Sequence, residues 1–247
     1  MNKEIKIVAT IEARMTSSRL PGKVLMEASG QSMLHHLVER LKSVESIDEI
    51  VLATTVNCSD DVLIEEAKNL NIGFFRGDEN NVMLRVIEAA ESVNADVVVE
   101  ITADCPIIDP QIIEQAILTY VNNDADYVGN ANVRSYPDGM DVQVFSLHAL
   151  KKSFELTSDQ LELEHVTLNI RRNPKIFKHI NLISPPELYW PELGLTLDEE
   201  DDYKLIKEII EKLSHKSLFS CLDIISFLKK NQDLLNINSH VLRKGDS

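Results

Sequence analysis

The segment from residue 13 to residue 23 concentrates side chains that bind phosphate. It reads A-R-M-T-S-S-R-L-P-G-K and carries three cations and three hydroxyls: Arg14, Arg19, Lys23, Thr16, Ser17 and Ser18. Cations neutralise a polyphosphate, and hydroxyls and loop amides donate hydrogen bonds to its oxygens. The segment contains neither GxxxxGK[ST] nor GxGxxG. It therefore predicts a phosphate site of another kind, with a solvated surface turn as the alternative.

Two aspartates follow apolar stretches of the chain. Residues 96–102 predict a central strand that ends just before Asp104, and residues 195–197 predict a short strand that ends at Asp198. Ligands bind at the carboxyl edge of α/β sheets, and Mg²⁺ prefers one or two carboxylates plus phosphate oxygens. We therefore expect the two aspartates to converge on one Mg²⁺, with mutual repulsion raising one pKa. A helix cap or a turn is the alternative for Asp104, whereas Asp202 is expected to cap or brace the next helix.

Short apolar strands alternate with amphipathic helices, a pattern typical of βαβ units and a mainly parallel sheet. Predicted strands cover residues 5–11, 49–55, 72–75, 96–102, 126–129, 141–145, 176–183 and 195–197. The first predicted helix follows the cap Ser32, and others cover residues 59–70, 146–154 and 162–171. One more predicted helix includes residues 82–90, one begins at Pro110, one ends at Leu213, and the last begins from Ser217.

Length and charge limit the function classes. The 247 residues fit one α/β domain better than two equal domains. A net charge of -15 argues against a nucleic-acid backbone as partner, since such proteins present a basic face. We find no signal peptide and no apolar run long enough to span a membrane. Three cysteines without metal spacing then favour a reduced, cytoplasmic setting.

The stretch A-R-M-x-S-x-R-L-P-G-K-V-L resembles the opening signature of nucleotidyltransferases that activate sugars with CTP. It is most similar to the spore coat polysaccharide biosynthesis protein F group, and more distantly to CMP-ketodeoxyoctulosonate and CMP-acylneuraminate synthetases. Five later blocks resemble that group in the same order: Gly77-Asp78 with Asn81 to Arg85, Thr102 to Pro110, Asp138 to Val142, Glu164 to Thr167, and Leu195 to Asp198 with Asp202.

The resemblance implies a three-layer α/β/α Rossmann-like nucleotidyltransferase fold, similar to GT-A, with a mainly parallel central sheet. It implies Mg²⁺-dependent transfer of a cytidylyl group from CTP to a sugar acid or phosphorylated acceptor, with release of pyrophosphate, for polysaccharide or glycan synthesis. The nucleotide-binding part would cover about residues 1–125, the acceptor-binding part about 126–215, and a final helix and tail 216–247. The resemblance leaves a homodimer open.

The resemblance also implies roles for individual residues. The expected nucleotide-binding residues are Ala13, Arg14, Ser17, Ser18, Arg19, Lys23, Asp78, Arg85, Thr102 and Asp104. Of these, Lys23, Arg14 and Arg19 would be catalytic, and Lys23, in a polar loop, is expected to have little packing role. Asp141 and His165 would bind the acceptor, and Asp104 and Asp198 the metal. The alternatives are a solvated helix residue for Arg85 and a helix-surface imidazole for His165.

Two positions depart from the resembled pattern. Glu100 stands where family members usually have Arg, and Glu12 where the closest group usually has Gln. Each adds a carboxylate near the expected polyanion, which puts base identity and acceptor charge in question. A non-catalytic nucleotide-binding partner therefore stays open, as does a glycosyltransferase that uses a nucleotide sugar. Such glycosyltransferases usually carry a D-x-D motif, and Ala103-Asp104-Cys105 does not contain one.

Overall fold

A seven-stranded sheet organises the chain in the computed structural model, which describes residues 5–216 and 218–243. The strands in this part of the chain are β1 (Ile7–Glu12), β2 (Glu27–Ala28), β3 (Gln31–Ser32), β4 (Glu49–Thr55), β5 (Gly73–Gly77), β6 (Val97–Thr102), β7 (Tyr127–Gly129), β8 (Gln143–Ser146) and β9 (His179–Asn181). The α-helices are α1 (Met33–Lys42), α2 (Asp61–Asn69), α3 (Val82–Ser92), α4 (Pro110–Val121), α5 (Leu147–Leu156), α6 (Gln160–Glu164), α7 (Leu168–Arg172), α8 (Glu200–Leu213) and α9 (Cys221–Lys230).

The strand order of the main sheet is β5-β4-β1-β6-β8-β7-β9, and β2 and β3 form a separate antiparallel pair. Strands β5, β4, β1 and β6 are parallel, whereas β8 runs antiparallel to both of its neighbours. The chain places β4 and β5 on one side of β1 and then crosses to place β6 on the other side. This reversal is the point at which open α/β sheets form ligand crevices. The segments that follow β1 and β6 therefore meet there.

The sheet is covered on both faces, because successive strand residues point to opposite sides. In β1, Ile7, Ala9 and Ile11 pack into one apolar cluster, and Val8 packs into the other. Helices α1, α2, α4, α8 and α9 contribute to the first cluster, and α3, α5 and α7 to the second. The predicted three-layer α/β/α fold is confirmed.

Several predicted elements are confirmed where local signals are strong. Strand β4 has the predicted bounds, and the Ser32 hydroxyl accepts a hydrogen bond from the His35 amide at the start of α1. Pro110 opens α4 behind the cap Asp109. No helix among residues 5–216 and 218–243 has the length and apolar character to cross a membrane. Of the predicted final helix and tail, Ser217 and residues 244–247 lie outside the described residues.

Three predictions were wrong. Residues 195–197 form no strand, because the Leu195 amide donates to Asp138 and the Leu197 amide to Asp104, so no single neighbour provides a ladder. The predicted helix 162–171 is two helices, α6 and α7, since His165 adopts a non-helical φ of -102° and ψ of 77°. The predicted strand 176–183 shrinks to β9, because the amides of residues 176 and 177 close a turn onto Asn173.

Gly139 and Gly30 offer a matched test of backbone contact, because both have positive φ, 100° and 77°. A Cβ at Gly139 would lie 2.7 Å from the Leu195 carbonyl, whereas a Cβ at Gly30 would meet nothing within 4 Å. We expect Gly30→Ala to lower the free energy of unfolding by about 1–2 kcal/mol, and Gly139→Ala by about 1–3 kcal/mol more. Urea unfolding of both variants measures the difference, and equal losses would contradict the close packing of segment 194–198 on Gly139.

Candidate active site

The segment from residue 13 to residue 23 follows β1, and a buried carboxylate holds its backbone in place. Asp60, which is fully buried, accepts a hydrogen bond from the Met15 amide at 2.8 Å and others from the Thr54 and Thr55 hydroxyls. The Gly22 amide donates to the Met15 carbonyl at 3.0 Å and closes the loop. Sequence reasoning missed Asp60, since an aspartate at the start of a helix is ordinarily a cap. The loop is therefore held in shape by the protein itself.

Lys23 joins three parts of the chain. Its ammonium nitrogen lies 2.7 Å from the Leu197 carbonyl oxygen, 2.7 Å from Asp104 Oδ1 and 3.3 Å from Asp198 Oδ1. An ammonium has three donors, and each has an acceptor here. With only 6% of its surface exposed, Lys23 is a packed residue. The expectation that it has little packing role was wrong.

The two aspartates converge, as the sequence suggested, although Asp198 follows a segment that forms no strand. Arg19 Nη2 also contacts Asp198 Oδ1, at 2.7 Å. Burial raises the pKa of Asp104, and Lys23 opposes that rise. Repulsion from Asp198, the expected cause, contributes less than burial. The two carboxylates thus form a negatively charged site, which the side chains of Lys23 and Arg19 already occupy.

Arg19 has donor capacity to spare. Its Nη1 atom is buried and has no hydrogen-bond partner among the described residues. An unpaired buried guanidinium N–H is costly, and an anion in the cleft would satisfy it. This atom points to a ligand more directly than any other group in the described site.

Arg85 is buried at 2% exposure, so its alternative as a solvated helix residue was wrong. Its Nε donates to the Ala53 carbonyl at 3.2 Å, and Nη1 donates to the carbonyls of Asp78 and Glu79. Burial lowers the pKa of the guanidinium, and Glu12 opposes that effect. Arg85 therefore ties α3 to the end of β4 beside the expected nucleotide.

A cleft of about 340 Å³ brings most of the predicted residues together. It is lined by Glu12, Ala13, Arg14, Ser17, Ser18, Arg19, Lys23, Val24, Val82, Arg85, Glu100, Thr102, Asp104, Glu164, His165, Val166 and Asp198. Asp78 and Asp141 are not in that set. The Asp78 carboxylate accepts from the amides of residues 80 and 81, and the Asp141 carboxylate from the Gly139 amide. Both side chains thus brace turns in this structure.

The two unexpected carboxylates both line the cleft. Glu12 and Glu100 belong to the neighbouring strands β1 and β6, and Glu100 accepts a hydrogen bond from Gln143 at 2.7 Å. Burial raises the pKa of Glu12 well above its ordinary value, with repulsion from Glu100 as the next cause. Glu12 therefore keeps its proton to a higher pH than an exposed glutamate does.

Glu79 is a second residue that sequence reasoning missed. Its carboxylate accepts from Asn57 at 2.8 Å and Thr16 at 3.0 Å, and it lies 3.5 Å from Arg14. The only signal in the sequence was a polar turn ahead of α3. Glu79 orients Arg14 at the rim, where that side chain stays 40% exposed.

A basic loop and two convergent carboxylates meet in a cleft at the switch point of a mostly parallel sheet, which is the arrangement expected of a nucleotidyltransferase. The chain belongs to the cytidylyltransferase family, since the sequence model described as "Cytidylyltransferase" matches residues 8–238. It is therefore an enzyme of the nucleotidyltransferase class, and the catalytic interpretation is favoured over a non-catalytic partner.

Relatives and solved structures agree with this family. The chain is 32% identical over 92% of its length to the spore coat polysaccharide biosynthesis protein SpsF of Bacillus subtilis, covering 95% of that protein. It is 35% identical to the uncharacterized protein MJ1063 of Methanocaldococcus jannaschii, over 97% of both chains. A cytidylyltransferase structure from Leptospira borgpetersenii superposes with a TM-score of 0.89 at 30% identity, covering 98% of this chain and all of that one.

The resemblance to CMP-sugar synthetases is partial in sequence. A 3-deoxy-manno-octulosonate cytidylyltransferase of Solibacter usitatus is 33% identical over 52% of this chain and 50% of its own length. A structure of CMP:2-keto-3-deoxy-manno-octonic acid synthetase complexed with CTP has a TM-score of 0.63 at 18% identity, over 84% of this chain and 99% of that one. The second comparison shows a shared fold.

The carboxyl of Glu12 makes a testable contribution to stability. Folded Glu12 holds its proton above the ordinary pKa of 4.5, so folding binds a proton and the free energy of unfolding falls as pH rises through that range. Glu12→Gln removes this titration. We therefore expect the free energy of unfolding of the variant, relative to that of wild type, to increase from about pH 5 to about pH 8. Urea unfolding at both pH values measures it. Exposed Glu39→Gln is the control, and an equal change in the two variants would contradict the prediction.

Proposed function

We propose that this enzyme transfers the cytidylyl group of CTP to a sugar acid or a phosphorylated acceptor, with Mg²⁺ present, in the synthesis of a surface polysaccharide or glycan. An acceptor oxygen attacks the α-phosphorus, the bond from that phosphorus to the β-phosphate oxygen breaks, and pyrophosphate leaves. The observation that supports this most is the meeting of Lys23, Arg19, Asp104 and Asp198 within hydrogen-bond distance at one point of the cleft.

The loop cations would hold the triphosphate. Negative charge grows on the phosphoryl oxygens and the leaving group during such a transfer, and preorganised cations stabilise it. Arg19 brings the buried Nη1 that has no acceptor in the described structure. Arg14, Ser17 and Ser18 line the same wall. Lys23 can serve a phosphate oxygen by exchanging one of its three acceptors.

The donor set fits Mg²⁺. Asp104 and Asp198 already place oxygens around one cationic nitrogen, and Mg²⁺ typically takes one or two carboxylates and completes its shell with phosphate oxygens and water. Asp104 and Asp198 would hold the ion, which would neutralise charge on the transferring phosphoryl group. Cations would thus face the triphosphate from the loop and from the aspartates.

The acceptor would enter beside His165 and Glu164, which line the cleft at the break between α6 and α7. Both are exposed, so they suit an acceptor that arrives from solvent. Asp141 keeps its proposed acceptor role only if the turn it braces opens toward the cleft. The acceptor class is decided by assay with sugar acids and phosphorylated polyols.

Nucleotide selectivity can be measured without knowing the acceptor. We expect CTP with Mg²⁺ to raise the melting temperature more than ATP or GTP does, because a ligand that binds only the folded state stabilises it. At a CTP concentration 100 times Kd, the shift should be about 5–10 °C. Differential scanning fluorimetry with each nucleotide is the measurement. Equal shifts for all nucleotides would count against cytidylyl specificity.

Removal of Lys23 should affect both catalysis and stability. We expect Lys23→Ala to lower kcat/KM by about 100-fold to 1,000-fold, the usual cost of one electrostatic donor in a transition state. The variant should also lose about 1–3 kcal/mol of stability, because the buried Leu197 carbonyl and two carboxylates lose their donor. Pyrophosphate release from CTP over the acceptor panel and urea unfolding measure the two effects.

Lys42→Ala is the control, since Lys42 pairs only with Glu39 on the surface among the described contacts. Wild-type turnover by Lys23→Ala would move the phosphate site elsewhere. Absence of pyrophosphate release by the wild-type protein, with CTP and every acceptor class, would overturn the proposed function.

A further inference from the structure

Asp202 controls the backbone that carries Asp198. Its Oδ2 accepts hydrogen bonds from the Asp198 amide at 3.2 Å and the Glu199 amide at 2.9 Å. The Asp202 side chain is completely buried. Its position therefore fixes where the Asp198 carboxylate stands relative to Lys23 and Asp104.

The other oxygen of the same carboxylate is held by the 237–243 segment. Asp202 Oδ1 accepts from Arg243 Nη2 at 2.7 Å and from Asn238 Nδ2 at 2.8 Å. A fully buried carboxylate requires such donors, because an unpaired buried charge is strongly unfavourable. One carboxylate thus links the 237–243 segment to the backbone of the site.

The guanidinium of Arg243 packs directly against the backbone of Gly194. A Cβ built on Gly194 would lie 2.0 Å from Arg243 Nη2, so only glycine leaves room for the guanidinium. Arg243 Nη1 also donates to the Thr196 hydroxyl at 3.2 Å, and Asn238 donates to the Gly194 carbonyl at 3.0 Å. The 237–243 segment therefore holds the whole stretch 194–199 from one side.

We propose that Arg243 and Asn238 are positioning residues for Asp198, and that seating of the 237–243 segment sets the cation-binding geometry of the cleft. Loss of Arg243 leaves Asp202 without its counter-charge. The carboxylate then moves toward solvent, and the amides of Asp198 and Glu199 lose their acceptor. The proposal rests on the proposed function only in that Asp198 binds the catalytic cation.

The structural link can be tested without any ligand. Hydrogen exchange of peptides covering residues 195–203 should be faster in full-length Arg243→Ala than in wild type, and Arg243→Lys should restore part of the protection. Arg134→Ala is the matched control, because Arg134 and Arg243 both approach the Asp138 carboxylate, at 3.7 Å and 3.9 Å, whereas of the two only Arg243 contacts Asp202 in the described structure. Unchanged exchange in Arg243→Ala would overturn the link. Asn238→Ala replaces Arg243→Ala if the latter does not fold.

The functional part is tested by metal dependence. We expect Arg243→Ala to raise the Mg²⁺ concentration for half-maximal pyrophosphate release by about 10-fold, as loss of an outer partner of a metal ligand typically does. Activity at saturating Mg²⁺ should change much less, and Arg134→Ala should match wild type. Mn²⁺ binding to the protein with CTP, followed by electron paramagnetic resonance, should weaken in parallel.

Faster exchange with unchanged Mg²⁺ and Mn²⁺ dependence would overturn the positioning role. If the wild-type protein releases no pyrophosphate, the proposed function fails. The hydrogen-exchange and Mn²⁺-binding results of the variants then decide the positioning role by themselves.

Discussion

The ammonium of Lys23 is the contact on which the arrangement of the cleft depends. It meets one carboxylate from the end of β6 and one carboxylate and one carbonyl from the segment before α8, up to 175 positions away in sequence. Two aspartates this close together would repel each other, and a cation between them offsets that repulsion. The sheet supplies the approximate meeting point, since β1 and β6 are neighbours with parallel carboxyl ends. Lys23 then fixes the distances.

Two buried carboxylates near Lys23 have the same role, which is to hold the backbone of an irregular segment in place. Asp60 accepts a hydrogen bond from the Met15 amide in the loop from residue 13 to residue 23, and Asp202 accepts hydrogen bonds from the amides of Asp198 and Glu199. Both are fully buried and use both oxygens. Irregular segments carry the functional groups of many α/β proteins, and here hydrogen bonds to fixed carboxylates give those segments a defined shape. The cost of burying each charge is offset by several donors.

Local signals in the sequence predicted what depends on local physics. The apolar run of β4, the Ser32 cap of α1 and the Asp109-Pro110 start of α4 each follow from neighbouring residues, and the motif residues at strand ends did meet in one cleft. Arg85 was harder, because it looks polar on its helix while its three acceptors belong to the end of β4 and the turn before α3. Residues 195–197 looked like a strand, but they bond to two different segments. In these cases the deciding partners could not be predicted without the fold.

The central claim is that the loop from residue 13 to residue 23 and the two aspartates hold one CTP and one divalent cation together. A crystal structure with CTP and Mn²⁺, collected for anomalous scattering of manganese, tests it most directly. The account predicts one manganese peak at metal–oxygen distances of about 2.1–2.2 Å from both Asp104 and Asp198, with the triphosphate against Arg19 and Lys23. A peak that contacts neither aspartate, or a triphosphate bound away from the loop, would contradict it.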